Sequence, residues 1–284
     1  VAPTAYPETP AGWTRLSHRS AGPFTTHVTF RRPDGGTSVW SSRAHRKHAS
    51  RLSRGSRRQE GVWWAPRRAS WWIGVLFAVG SACFLVGPFP GFVELVGSAV
   101  DGAVFFVGSI FFTSAAALQC LEVFNADRQP GGGGGRRFRW LAFEPHRIDW
   151  WSAVVQFVGT VLFNVDTFRA LQTGIDDTHY NRLVWTPDAL GSICFLVSGY
   201  LAYVEVCGSP LCRRRTLEWW IAAVNLLGCV AFGISAVAGF VVPSTGSVLD
   251  LAWANGFTAF GGLCFLIGAV LLLPEAAGER AASG

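Results

Sequence analysis

A tryptophan pair opens a hydrophobic run three times in this chain, at Trp71-Trp72, Trp150-Trp151 and Trp219-Trp220. Eight residues after the second Trp stands a glycine (Gly80, Gly159, Gly228), and twelve residues after it a phenylalanine (Phe84, Phe163, Phe232). A second run in each copy carries Gly108, Gly191 or Gly261, then Phe112, Phe195 or Phe265 four residues on. Glu122, Glu205 or Glu275 follows ten residues after that Phe. Self-similarity at this period dictates an architecture before any residue is read alone: three copies of one two-segment unit, stacked against each other.

The environment of those units follows from composition. Half the residues are hydrophobic and only 15% are charged, well below the quarter or so typical of soluble domains. Six apolar runs, roughly 70–88, 92–123, 149–169, 183–206, 217–242 and 248–273, each approach the ~20 residues that cross ~30 Å of hydrocarbon. The second run is longer than a bilayer needs, so its start is expected along the interface or outside it. The sequence therefore predicts an all-α membrane protein of six transmembrane helices, arranged as three tandem two-helix hairpins. Repeat one spans 68–124, repeat two 147–207 and repeat three 208–275. A Gly-rich linker, 125–146, contains the tract Gly131 to Gly135, and a tail covers 276–284.

Charge separates a basic segment from this body. Residues 1–70 hold 13 of the 24 Lys and Arg. Segment 1–67 is expected to be largely disordered, residues 1–22 in particular. A β-hairpin is expected over 26–42, where alternating segments flank Pro33-Asp34-Gly35. Placing the basic loops inside by the positive-inside rule sets both termini in the cytoplasm. Arg so outnumbers Lys, alongside abundant Ala and Gly, that a bacterial cytoplasmic membrane is the expected setting. The basic segment would lie against anionic lipid headgroups, a simpler partner for it than nucleic acid. The seven cysteines lie in or beside apolar runs and read as buried free thiols.

On a helix the Trp, Gly and Phe of each first segment share one stripe. The Trp pairs suit the headgroup level, and the Gly positions admit close helix approach. The closing Glu opposes the dipole at its helix C-terminus, so it calls for a partner. Arg68, Arg147 and Arg215 stand at the same membrane face, which predicts interfacial ion pairs of Arg68 with Glu122, Arg147 with Glu205 and Arg215 with Glu275. Pairing between neighbouring units is equally open. Gln156 and Asn225 sit at equivalent depth, five residues after the second Trp, where unit one has Phe77. They are candidates for helix–helix bonding or for an intramembrane polar path. Asp101, Asp166, Asp188 and Asp250 fall near the opposite boundary and, with Asp176, Asp177, His179 and Tyr180, make that face mildly acidic.

No hydrolase, metalloprotease, phosphate-loop or dinucleotide motif is present, and no Cys/His set has metal-ligand spacing. No cofactor and no enzymatic activity are therefore expected. The Trp pair with its spaced Gly, Gly80-Ser81-Ala82-Cys83-Phe84, and Gly191-Ser192-Ile193-Cys194-Phe195 ahead of a closing Glu, resemble the YrhK-like domain, a two-helix bacterial membrane module. The resemblance implies membrane class and hairpin fold over residues 68–275 and carries no catalytic residues. Scarce intramembrane polar groups favour a non-enzymatic membrane scaffold or interaction protein, its protein partner unspecified. The alternative is a small-molecule or ion transporter with a path between the repeats. A cavity reaching midplane with Gln156 and Asn225 facing it would favour transport.

Overall fold

The structure is a computed structural model describing residues 7, 9–43, 63–126, 138–172, 177–209, 212 and 216–278. The five-glycine tract, Asp176 and Arg215 lie outside the described residues. Each repeat is a helical hairpin. Repeat one holds α1 (Ala69–Val86), a short α2 (Pro90–Val96) and α3 (Ser98–Phe124). Repeat two holds α4 (Ile148–Ala170), the single turn α5 (Asp177–Tyr180), a π-helical turn (Asn181–Trp185) and α6 (Thr186–Cys207). Repeat three holds α7 (Leu217–Ala238), a two-residue ladder of β4 (Val241–Val242) with β5 (Ser247–Val248), and α8 (Leu251–Gly278). Six of these segments are long and apolar enough to cross a membrane, and the chain is a multi-pass membrane protein.

Local chemistry sets the helix ends. Pro90 opens α2, and Gly97 at φ +82° breaks it from α3, so the surplus start of the second apolar run becomes a separate helix. Thr216 caps α7 by accepting from Trp219 N at 3.3 Å, and Asp250 accepts from Trp253 N at the start of α8. Gly208, left-handed at φ +67°, closes α6.

The six long helices pack in chain order as a closed ring: α1, α3, α4, α6, α7, α8, and back to α1. Within each hairpin the repeated Gly and Phe interlock reciprocally. A Cβ on Gly80 would lie 2.7 Å from Phe112, and one on Gly108 3.3 Å from Phe84. Gly159 with Phe195, Gly191 with Phe163 and Gly228 with Phe265 repeat the arrangement. The residue after the second-helix Gly then joins each hairpin to the next. Ser109 Oγ lies 3.0 Å from Thr167 Oγ1, Ser192 Oγ donates to Phe232 O at 3.4 Å, and Gly262 abuts the backbone of Leu85. The glycine stripe thus does what its spacing predicts, and a pseudo-threefold axis runs down the ring.

At the helix ends bearing the Trp pairs, called here the tryptophan face, sits a three-stranded antiparallel sheet. Strands β2 (Phe24–Arg31) and β3 (Thr37–Ser41) form the expected hairpin. The expectation of disorder fails for residues 14–21, which form β1 (Thr14–Ala21) paired with β2. Val28, Phe30 and Trp40, with Trp13 against them, form the buried side of this sheet, and β1 supplies the third strand that such a small sheet needs for stability. The sheet rests on the bundle where Ala21 and Phe24 meet Ile148 and Val204. A second correction concerns the thiols: Cys207 and Cys212 form a disulfide across the end of α6, while Cys83, Cys120, Cys194, Cys229 and Cys264 are free. Gly208 turns the chain back within a six-residue span, which brings the two sulfurs together.

Candidate functional site: two vestibules on the repeat axis

The six repeated phenylalanines meet on the axis. Phe84, Phe163 and Phe232 from the first helices form one triangle, with centroid separations of 6.4, 5.7 and 5.8 Å. Phe112, Phe195 and Phe265 from the second helices form another, at 6.3, 5.9 and 5.8 Å. Edge-on contacts such as Phe84–Phe112 at 5.5 Å and tilted ones such as Phe163–Phe195 at 4.9 Å lock the layers together. All six rings are buried, and the gap bordered by five of them, all but Phe265, holds about 10 Å³, room for about one water at most. This is an apolar plug across the centre of the ring.

A cavity of about 120 Å³ opens between the plug and the tryptophan face. Its walls are built in layers by equivalent positions of the three units. Phe112, Phe195 and Phe265 form the floor. Phe77, Gln156 and Asn225 form the next first-helix layer, and Ile73, Ser152 and Ile221 the one above. The second helices compensate for what the first helices place there. Gln156 faces Ser198, which donates to its Oε1 at 3.5 Å. Asn225 faces Gly268, where a Cβ would come within 3.0 Å of Asn225 Nδ2. The two candidate polar-path residues therefore share one cavity.

Arg43, Glu122 and Glu205 line the mouth. Glu205 and Glu275 at this mouth have partners in the chain ahead of repeat one. Glu275 accepts from Arg43 Nη2 at 3.1 Å and from Nε at 3.3 Å, and Glu205 accepts from Ser42 Oγ. Arg147 bonds Glu144 and Asp149 of its own loop and helix start, and Val123 O at 3.0 Å. That local triad, all but fully buried, engages Arg147 where pairing with Glu205 was expected. Arg68 and Glu122 are both buried. Burial alone would lower the Arg43 pKa; the carboxylates of Glu275, Glu205 and Glu218 outweigh it, and the net shift is upward. Arg43 therefore stays cationic.

Beyond the plug, a second cavity of about 220 Å³ faces the far side. Its differences between copies follow the same register. Three residues past the first-helix Phe stand Gly87, Asp166 and Ser235, and three before the second-helix Gly stand Phe105, Asp188 and Thr258. All but Gly87 line this cavity. Phe105 lies against Gly87, Ser235 and Thr258 hydroxyls meet at 2.6 Å, and Asp166 and Asp188 face the cavity beside Tyr180. Burial raises the Tyr180 pKa, and the two aspartates raise it further. Counting three residues from the repeat landmarks would have found this pairing in the sequence. Asp250, in contrast, caps α8. Among the described residues no group of three or more His, Cys, Asp or Glu is placed to share a metal ion.

The Trp pairs do more than sit at a boundary. Trp71 Nε1 donates to Trp63 O at 2.9 Å, Trp150 to Ala142 O at 2.7 Å and Trp219 to Cys212 O at 3.1 Å. Trp72 and Trp151 donate to Pro66 O and Pro145 O, both at 2.9 Å. Each pair straps the preceding loop over its helix start. The matching Pro66-Arg67-Arg68 and Pro145-His146-Arg147 show that the repeat begins upstream of the tryptophans. In comparisons with known proteins, no family model, curated sequence or solved structure matches this chain.

Proposed function

We infer that this membrane protein is a transporter or channel for a small polar or cationic solute, which moves along the pseudo-threefold axis. The observation that carries this reading is the pair of polar vestibules on one axis, Gln156 and Asn225 in one and Asp166 and Asp188 in the other, separated by the two stacked triangles of phenylalanines. Intramembrane polar and acidic groups that face a cavity mark solute paths, and apolar constrictions gate by excluding water. The copies differ along the axis and agree in the helix-packing positions, as expected if packing is common and chemistry is local. The scaffold reading explains the ring and leaves both cavities without a role. In this account the chain is not an enzyme. It sits in a bacterial cytoplasmic membrane with the tryptophan face inward and its basic segment against anionic lipid.

Reconstituted liposomes test the reading. A panel of monovalent cations and small neutral polar solutes should include at least one whose uptake exceeds that of protein-free vesicles. Replacing both amides (Gln156→Leu with Asn225→Leu) should abolish it. Uptake at the protein-free level across the panel would return the protein to the scaffold reading.

A further inference from the structure

We propose that Ser42 and Arg43 form a tethered ionic plug that holds the vestibule on the tryptophan face shut. Three facts place them there. First, the closing glutamates end their helices around the mouth of the cavity, and two of them hold this dipeptide: Glu205 accepts from Ser42, and Glu275 accepts three bonds of 3.1 to 3.3 Å from the Arg43 guanidinium. Second, Arg43 is only 11% exposed and itself lines the cavity with Glu122 and Glu205, so its side chain occupies the entrance. Third, the dipeptide directly follows β3, and the sheet is seated on the ends of α4 and α6 through Ala21 and Phe24. That seat keeps a cation poised over the mouth at high effective concentration.

The arrangement also accounts for two of the three closing glutamates, Glu205 and Glu275. A carboxylate at a helix C-terminus is unfavourable in isolation, and a shared cation on the axis offsets that cost. The plug is a lid of the kind that opens by shifting a two-state equilibrium: with the guanidinium in place the amides are covered, and with it withdrawn they face the aqueous phase. The consequence for flux rests on the transport reading above, whereas the opening of the cavity does not.

Accessibility reads the opening directly. Ser198→Cys places a thiol in the cavity wall beside Gln156. The full-length protein in detergent would be treated with a charged, membrane-impermeant methanethiosulfonate. Modification at position 198 is then followed by peptide mass spectrometry in the Ser198→Cys protein alone and with Arg43→Ala or Glu275→Gln added. The rate should rise about tenfold or more in both double variants, the scale of losing a charge-assisted bond to a buried carboxylate. Cys120, buried and away from the cavity, reports unfolding. If Arg43→Ala exposes Cys120, the isosteric Glu275→Gln decides. Equal rates at 198 with Cys120 protected would overturn the plug. Faster labelling without any solute uptake would keep the plug and remove the transport reading.

Discussion

Gly262→Ala is the sharpest test of ring closure, because α8 meets α1 through this residue. A Cβ at position 262 would stand 2.7 Å from Leu85 N and 2.9 Å from Phe84 C, about 0.7 Å inside the 3.4 Å where ordinary contact begins. The obstructing atoms are backbone, so no rotamer change relieves the clash, and the two helices must part. Overpacking of this kind costs about 1–3 kcal/mol. Replacing a helical Gly by Ala also returns up to about 1 kcal/mol of backbone entropy and propensity. Gly256, six residues earlier on the same helix, isolates that gain, since a Cβ there meets nothing within 4 Å. Gly256→Ala should therefore be neutral or slightly stabilising, and Gly262→Ala should fall below it by about 1–3 kcal/mol. Reversible unfolding in mixed detergent micelles gives both values. Equal stability of the two variants would refute the close approach of α8 to α1, and with it the closed ring.

Two further outcomes follow from the same structure. Arg147→Ala should destabilise by about 3–5 kcal/mol, because the buried carboxylates of Glu144 and Asp149 would lose its guanidinium; the same unfolding assay measures it, and a loss under 1 kcal/mol would mean the triad is solvated. With the tryptophan face inward, Cys207 and Cys212 stand on the reducing side of the membrane. Trapping free thiols in intact cells before lysis should then find the pair reduced, and air oxidation of the purified protein should close the bridge. A pair already bridged in the cell would instead set the tryptophan face outward.

The sequence read some layers of this molecule and not others, for physical reasons. Helices and hairpins were legible because hydrophobic length and the Trp–Gly–Phe spacing are local. The hairpin at Pro33-Asp34-Gly35 was legible from its turn chemistry. Strand β1 was not, since Thr14–Ala21 is polar on most of its positions and gains its partner only through β2. The common depth of Gln156 and Asn225 was visible by counting, yet which way they face needed the ring to close. One partner of Glu275 lies 232 residues away in Arg43, a pairing that no spacing encodes. Choosing repeat-internal arginines was reasonable on proximity to the membrane face, but Arg147 had nearer acids in Glu144 and Asp149.

Two stacked triangles of phenylalanines separate the two vestibules on one axis. Phe163 and Phe195 are the closest ring pair within them, at 4.9 Å. Replacing both by Ala opens the barrier at repeat two and removes that hairpin's own Gly–Phe interlock, while the remaining four rings keep hairpins one and three interlocked. Liposomes holding the Phe163→Ala, Phe195→Ala protein should leak small monovalent cations well above the rate of liposomes holding the unaltered protein. A correctly folded double variant whose liposomes stay as tight as protein-free ones would contradict the account.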